Sequence, residues 1–261
     1  MTSPIWPALR TNLVEPGRLL HTITVEGELL AGSAAGARAD LPVPGCPGLT
    51  VGSTVTHTGS VYRRTLDWIR GGEPPDTWER RPEEGEDPIE FLRRARVALA
   101  AELAAHGPEE PCATWWPLDR TYGFWRRRMA HETTVHRVDV QAATGVDVDP
   151  VPADLAADGI DEALLLWFGH RLTELGMTGT TQGAIGVQVG RLSWLAVLGR
   201  PRALARRVPA ADALAADALV TGDPMTVYLW LWGRVPDRAV TITGDIDASA
   251  QLWALLRTAT Q

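Results

Sequence analysis

Residues Arg128–Gly145 read RMAHETTVHRVDVQAATG. On a helix this stretch places a carboxylate and an imidazole, Glu132 and His136, four residues apart and so one above the other on a single face. The same face carries Trp125, Met129, Val140 and Ala143. It is an apolar stripe at helical spacing interrupted by two polar groups, and it predicts a core-facing helix from Tyr122 to Thr144, ended by Gly145. A Glu and a His turned toward a core are costly unless compensated, and a bound metal compensates both.

His131 does not belong to that pair. A zinc-protease helix is H-E-x-x-H, whereas this chain has H-E-x-x-x-H. His131 and His136 are five apart and diverge by roughly 140° on a helix of 3.6 residues per turn. The spacing therefore excludes the metalloprotease reading and sends His131 elsewhere. A catalytic zinc takes three protein ligands and keeps one position open, so a third ligand is needed. His106, next to Gly107-Pro108, reads as a helix-end residue; His21 and His170 lie on faces without other ligand types. His57 differs, following the C-P-G turn of Cys46–Gly48 on a second predicted helix whose face also carries Thr54, Val61 and Trp68.

The composition narrows the classes. The chain has 261 residues, 45% hydrophobic and 22% charged, an ordinary globular balance with length for two domains. Its net charge of -7 argues against nucleic acid as a partner. No apolar run approaches the ~20 residues of a membrane span, and the N-terminal residues lack a signal-peptide core, so a cytoplasmic location is expected. All 25 basic residues are arginine, and with abundant Ala, Gly and Pro this points to a G+C-rich genome. Two cysteines, Cys46 and Cys112, cannot build a Cys-rich metal site and are read as structural. Eleven Trp predict indole-lined interior or pocket walls.

The N-terminal half reads as four helices: Arg18–Ala39, Val51–Arg70, one starting at Asp87-Pro88 and running to about His106, and Tyr122–Thr144. A Pro/Glu-rich segment from Pro74 to Asp87 is an exposed loop. Inward carboxylate and imidazole groups on such helices make a bundle with a core metal site. The segment Val146–Pro152, VDVDPVP, is the predicted boundary between residues 1–149 and 150–261. Beyond it come a helix over Leu155–Gly176, strand character at Val187–Leu198 and Val240–Thr243, a helix opened by Asp223-Pro224 and running to Gly233, and a terminal helix over Ala248–Thr258. The fold class is α+β: a four-helix bundle followed by a small α+β domain.

Three of these segments in this order, CPGLTV…TH ending at His57, RMAHETTVHRVD, and LWLWGR at Leu229–Arg234, resemble the mycothiol-dependent maleylpyruvate isomerase family. The resemblance covers nearly the whole chain and implies a DinB-like bundle. It implies a divalent metal, usually zinc, held by His57, Glu132 and His136. It also implies mycothiol, the low-molecular-weight thiol of G+C-rich actinobacteria, as coenzyme or co-substrate. Arg234 falls where the family places a functional arginine, suited to a carboxylate-bearing electrophile; against this, an Arg just past a helix-ending Gly also complements the helix dipole. The run Arg126–Arg128 is read mainly as a solvated face. The family carries a Trp at the position of Leu49 and Asp-Leu at Ser53-Thr54. With the Gly and β-branched residues of this version, a frayed or distorted start to the second helix is expected.

The expected function is therefore a metal-dependent cis-trans isomerase or thiol S-transferase acting on a small electrophile. Two alternatives use the same features: a DinB-like hydrolase of thiol conjugates working through metal-activated water, and a non-catalytic ligand-binding protein with a structural metal.

Overall fold

The computed structural model describes residues 13–199 and 202–260. These fall into two compact units, Val14–Asp149 and the residues from Pro150 onward, the second including Leu13. The combination is α+β.

The first unit is a bundle of four helices, α1 (Pro16–Ala34), α2 (Val51–Gly71), α3 (Pro88–Ala104) and α4 (Tyr122–Thr144). Helix α1 packs on α3 and α4, and α2 packs on the same two, so the four make a square in which α4 joins α1 to α2. Leu19, Ile23, Leu30, Tyr62, Leu66, Phe91, Leu92 and Leu99 fill its centre, all essentially inaccessible. Helix α1 ends five residues before the expected Ala39. The run A-A-G-A-R-A-D after Ser33 has helix propensity but no side chain large enough to hold it against the bundle.

The expected fraying of α2 is corrected. Thr50 and Ser53 form a reciprocal cap, the Ser53 amide donating to Thr50 Oγ1 (3.2 Å) and the Thr50 amide to Ser53 Oγ (2.7 Å). Two of the amides left open at a helix start are thereby satisfied, which outweighs the weak propensity of the residues that follow. Ser53, one of the two residues that looked like a departure, is thus half of the device that starts the helix.

Helix α4 is buried on almost every side, arginines included. The expectation of a solvated Arg126–Arg128 face is thus also corrected. Arg126 donates to the carbonyls of Leu103 (2.9 Å) and His106 (2.6 Å), closing the C-terminus of α3. Further along, fully buried Arg137 donates to Glu26 on α1 (2.7 Å), to Gln141 (2.9 Å) and to the Asp149 carbonyl (2.6 Å). Buried guanidiniums are tolerated here because each meets several acceptors, with only Arg126 Nε and Arg137 Nη2 left unanswered on these two side chains.

The second unit opens with a helical run: α5 (Ala153–Glu162), a π-helical segment over Ala163–Arg171, and a closing turn, α6 (Leu172–Glu174). The expected single helix is present in extent, but its middle is wound wider than an α-helix. The rest comprises β1 (Gly183–Val189), β2 (Leu192–Leu198), β3 (Leu204–Arg207), α7 (Ala210–Leu214), β4 (Ala218–Thr221), α8 (Pro224–Leu231), β5 (Thr241–Gly244) and α9 (Ile246–Ala259). The five strands form one sheet in the order β3-β2-β1-β4-β5, with β1 and β4 parallel and the other pairs antiparallel.

The expected strand at Val187–Leu198 is in fact the heart of a hairpin, turned by Gly190-Arg191 with Gly190 at φ +54°. Ile185, Val187 and Val189 share the buried face with Trp194, Ala196 and Leu198. On the other face a Cβ at Gly186 would sit 2.2 Å from the Ala213 carbonyl oxygen, so the close approach of α7 demands glycine. Asp161 of α5 ties helix to sheet, accepting from Trp194 Nε1 (2.7 Å) and Arg207 Nε (2.6 Å).

Candidate metal centre

Helices α2 and α4 bring His57, Glu132 and His136 together. Glu132 Oε1 lies 3.3 Å from His57 Nε2 and 3.3 Å from His136 Nε2. One ligand-type atom from each residue falls within 4.8 Å of the others, and the ring centroids are 5.1 Å apart. Two imidazole nitrogens and one carboxylate oxygen facing a common point form a donor set suited to zinc or a similar divalent ion.

The three side chains differ in how they are held. His136 is nearly buried, and its other ring nitrogen, Nδ1, lies 3.0 Å from Asp139 Oδ2, a carboxylate that is itself inaccessible. With Nδ1 protonated toward Asp139, Nε2 presents its lone pair to the cluster. Glu132 is pinned from behind by Arg128, whose Nη2 donates to Oε2 at 2.6 Å, leaving Oε1 for the imidazoles. His57 is 44% exposed and stands at the edge of the buried face of α2. It lines an open groove of about 720 Å³ with Ala39, Thr56, Ser60 and Arg80.

The electrostatics follow from this packing. Burial opposes ionisation of Glu132, but hydrogen bonds from His136 and His57 and the charge of Arg128 outweigh it, holding the carboxyl well below its usual range. Burial likewise works against a charged His136, yet the Asp139 and Glu132 carboxylates push its pKa up to about 9. Without a cation the cluster is thus a carboxylate paired with an imidazolium.

His131 is fully buried on a different face of α4 and is not part of the cluster. His106 stacks on Tyr122 at 4.1 Å and lies 2.9 Å from Glu110 by its Nδ1, the helix-end role expected for it. Arg234 belongs to the second unit. It follows α8 at a Schellman-type end in which Gly233 (φ +73°) donates to the Trp230 carbonyl and the Arg234 amide to the Leu229 carbonyl. Its Nη1 donates to the Trp232 carbonyl at 2.6 Å. Reading α4 for apolar period alone missed Arg128 and Asp139. The signal was available: each lies three or four residues from a candidate ligand with charge of the right sign.

The comparisons with known proteins agree on the fold. Residues 20–141 match the family model described as the mycothiol maleylpyruvate isomerase N-terminal domain. No curated protein sequence matches the chain. Among solved structures, the crystal structure of the mycothiol-dependent maleylpyruvate isomerase is similar with a TM-score of 0.59 at 14% identity, over 90% of this chain and 97% of that one. A histidine-to-alanine mutant of that enzyme gives 0.57 at 13% identity over the same shares. No described helix is long and apolar enough to cross a membrane.

Proposed function

We propose, for a chain whose residues 20–141 match the mycothiol maleylpyruvate isomerase N-terminal domain model, a metal-dependent enzyme that uses a low-molecular-weight thiol, mycothiol, on a small electrophile. The observation that carries this reading is the convergence of His57 Nε2, Glu132 Oε1 and His136 Nε2, with second partners on Glu132 and His136. These three residues hold the cation, zinc by the chemistry of the donor set, and leave room for a further ligand. A divalent cation bound there favours the thiolate form of an entering thiol at neutral pH, and the thiolate is the nucleophile.

The protein's own groups supply position. Arg128 keeps one Glu132 oxygen engaged, so the other stays aimed at the centre; Asp139 keeps His136 in the tautomer that offers Nε2. Neither protein cysteine competes for the role of nucleophile. Cys112 lies outside the cluster, and burial pushes its thiol up to about 11. The external thiolate adds to an activated double bond, the resulting single bond rotates, and expulsion of the thiolate leaves the trans isomer with the thiol returned. If the carbon takes up a proton instead, the adduct is released and the reaction is an S-transfer. Arg234 is the residue we assign to a substrate carboxylate in the second unit.

The test has two arms. Metal analysis should find about one divalent ion per chain, lost in His136→Ala and Glu132→Ala and kept in His131→Ala. Cobalt-substituted protein should develop a thiolate-to-cobalt absorption band on addition of mycothiol, and turnover of an electrophile panel should require the thiol. Turnover of thioester or amide conjugates without any free thiol would instead give the site to hydrolysis.

A further inference from the structure

Arg64 stands seven residues after His57, two turns along the same side of α2. Its guanidinium carbon lies 3.7 Å above the ring of Trp78, from the loop that leads to α3. Stacking of this kind engages one face of the guanidinium and none of its five N–H donors, which stay in plane and available. Among the described residues no carboxylate lies within ion-pair distance of Arg64, although neighbouring arginines have theirs: Arg80 has Asp67 at 2.8 Å and Arg128 has Glu132 at 2.6 Å.

Partial burial and the like charges of Arg128 and Arg80 hold the Arg64 guanidinium below its usual value, with Glu132 opposing them. Arg64 therefore feels the carboxylate at the centre of the cluster, which already has two imidazoles and Arg128 to answer it. Beside arginines that are each met by a carboxylate, Arg64 is half sheltered from water and presents an unused planar fork.

We infer that Arg64 receives the carboxylate of an anionic, α,β-unsaturated electrophile held beside His57, Glu132 and His136. The inference rests on the thiol-enzyme reading for the word electrophile, and on the stacked, carboxylate-free guanidinium for the word carboxylate. It places an anion-gripping residue within the bundle itself, independent of Arg234. Trp78 pre-orients the fork, so that little rotamer freedom is lost when the carboxylate docks.

The experiment compares an unsaturated carboxylic acid with its methyl ester as thiol acceptors, in wild type, Arg64→Gln and Arg64→Lys, with metal content measured on each sample. Arg64→Gln should lose about tenfold or more in kcat/KM for the acid, through KM, the size of one lost charged hydrogen bond. The ester should be unaffected and the metal retained, and Arg64→Lys should recover part of the loss. In parallel, maleate should raise the melting temperature of metal-loaded wild type and leave Arg64→Gln unmoved. Equal losses for acid and ester, or loss of metal with the substitution, would make Arg64 a structural residue and overturn the inference. If wild type turns over neither acceptor, the thiol-enzyme reading has failed on its own. Maleate protection present in wild type and absent in Arg64→Gln would then still support the anion site, and protection absent from both would overturn it.

Discussion

The two oxygens of Glu132 do different work: Oε2 is spoken for by Arg128, and Oε1 meets both imidazoles. His136 is divided in the same way, Nδ1 toward Asp139 and Nε2 toward Glu132. Removing the rear partner should therefore weaken the front one. Asp139→Asn is expected to lower metal affinity about 10- to 100-fold, the usual effect of losing a carboxylate behind a ligating imidazole, as read by chelator competition. Unaltered affinity would show that packing alone orients His136.

The same residues set a pH signature for the metal-free protein. His136 has a pKa raised from 6.5 to about 9, so its contribution to stability is fully present below about pH 6.5 and is lost as pH rises through about 9. Glu132 is lowered, so its contribution is present above the ordinary carboxylate range and is lost as pH falls beneath it. With chelator present, the melting temperature should therefore decline between pH 6.5 and 9.5, and His136→Asn should flatten that decline. A profile that is flat in wild type would mean the imidazole is neutral in the folded protein.

Among the elements, α4 was legible in the chain to its last residue, because its face pattern, Tyr122 start and Gly145 stop all point to one helix. What the pattern concealed was the opposite face. Three consecutive arginines suggest solvent, yet a helix touching α1, α2 and α3 has little solvent to offer, and Arg126 finds carbonyls instead. The strands β3 and β4 were missed because L-A-R-R and A-L-V-T, four residues each, show no apolar–polar alternation, unlike the equally short V-T-I-T at β5. The π-helical widening at Ala163–Arg171 has no mark in composition.

Helix α2 gives two tests. Thr50→Ala removes the cap acceptor and should cost about 1 kcal/mol in urea unfolding. Gly59→Ala replaces a poor helix former by the best one and by propensity should stabilise, but a Cβ there would meet the Phe91 ring at 2.6 Å. Overpacking should win, destabilising by about 1–3 kcal/mol. A stabilised Gly59→Ala would mean that Phe91 can move aside cheaply.

For the whole molecule, the α+β class and the Glu132–His136 pair were readable because long helices with strong period dominate the N-terminal half, whereas His57 entered as a ligand only through the family resemblance. Arg64 was not readable, since nothing in the sequence marks an arginine as stacked on an indole without a carboxylate partner. All three candidate ligands lie between Val14 and Asp149, and Arg234 lies outside that span. A fragment of residues 13–150 is accordingly expected to fold and to bind one divalent ion per chain without supporting turnover. In the full chain, Arg234→Ala should lower turnover of a carboxylate-bearing acceptor and leave metal content alone. A fragment that folds but takes up no metal would show that the second unit supplies an essential ligand or support.

The Arg137 cluster has a consequence for how force enters the bundle. Arg137 and Gln141 of α4 grip both the backbone carbonyl and the carboxylate of Asp149, the last residue before the second unit. Tension applied to the chain beyond Pro150 loads those bonds before it can peel α4 from its end, and Arg137 is the residue next to His136. In a single-molecule pulling experiment the connector and the helix bearing two of the three candidate ligands should yield together, in one rupture. Gln141→Ala should split that rupture into an early slip of the connector followed by the bundle.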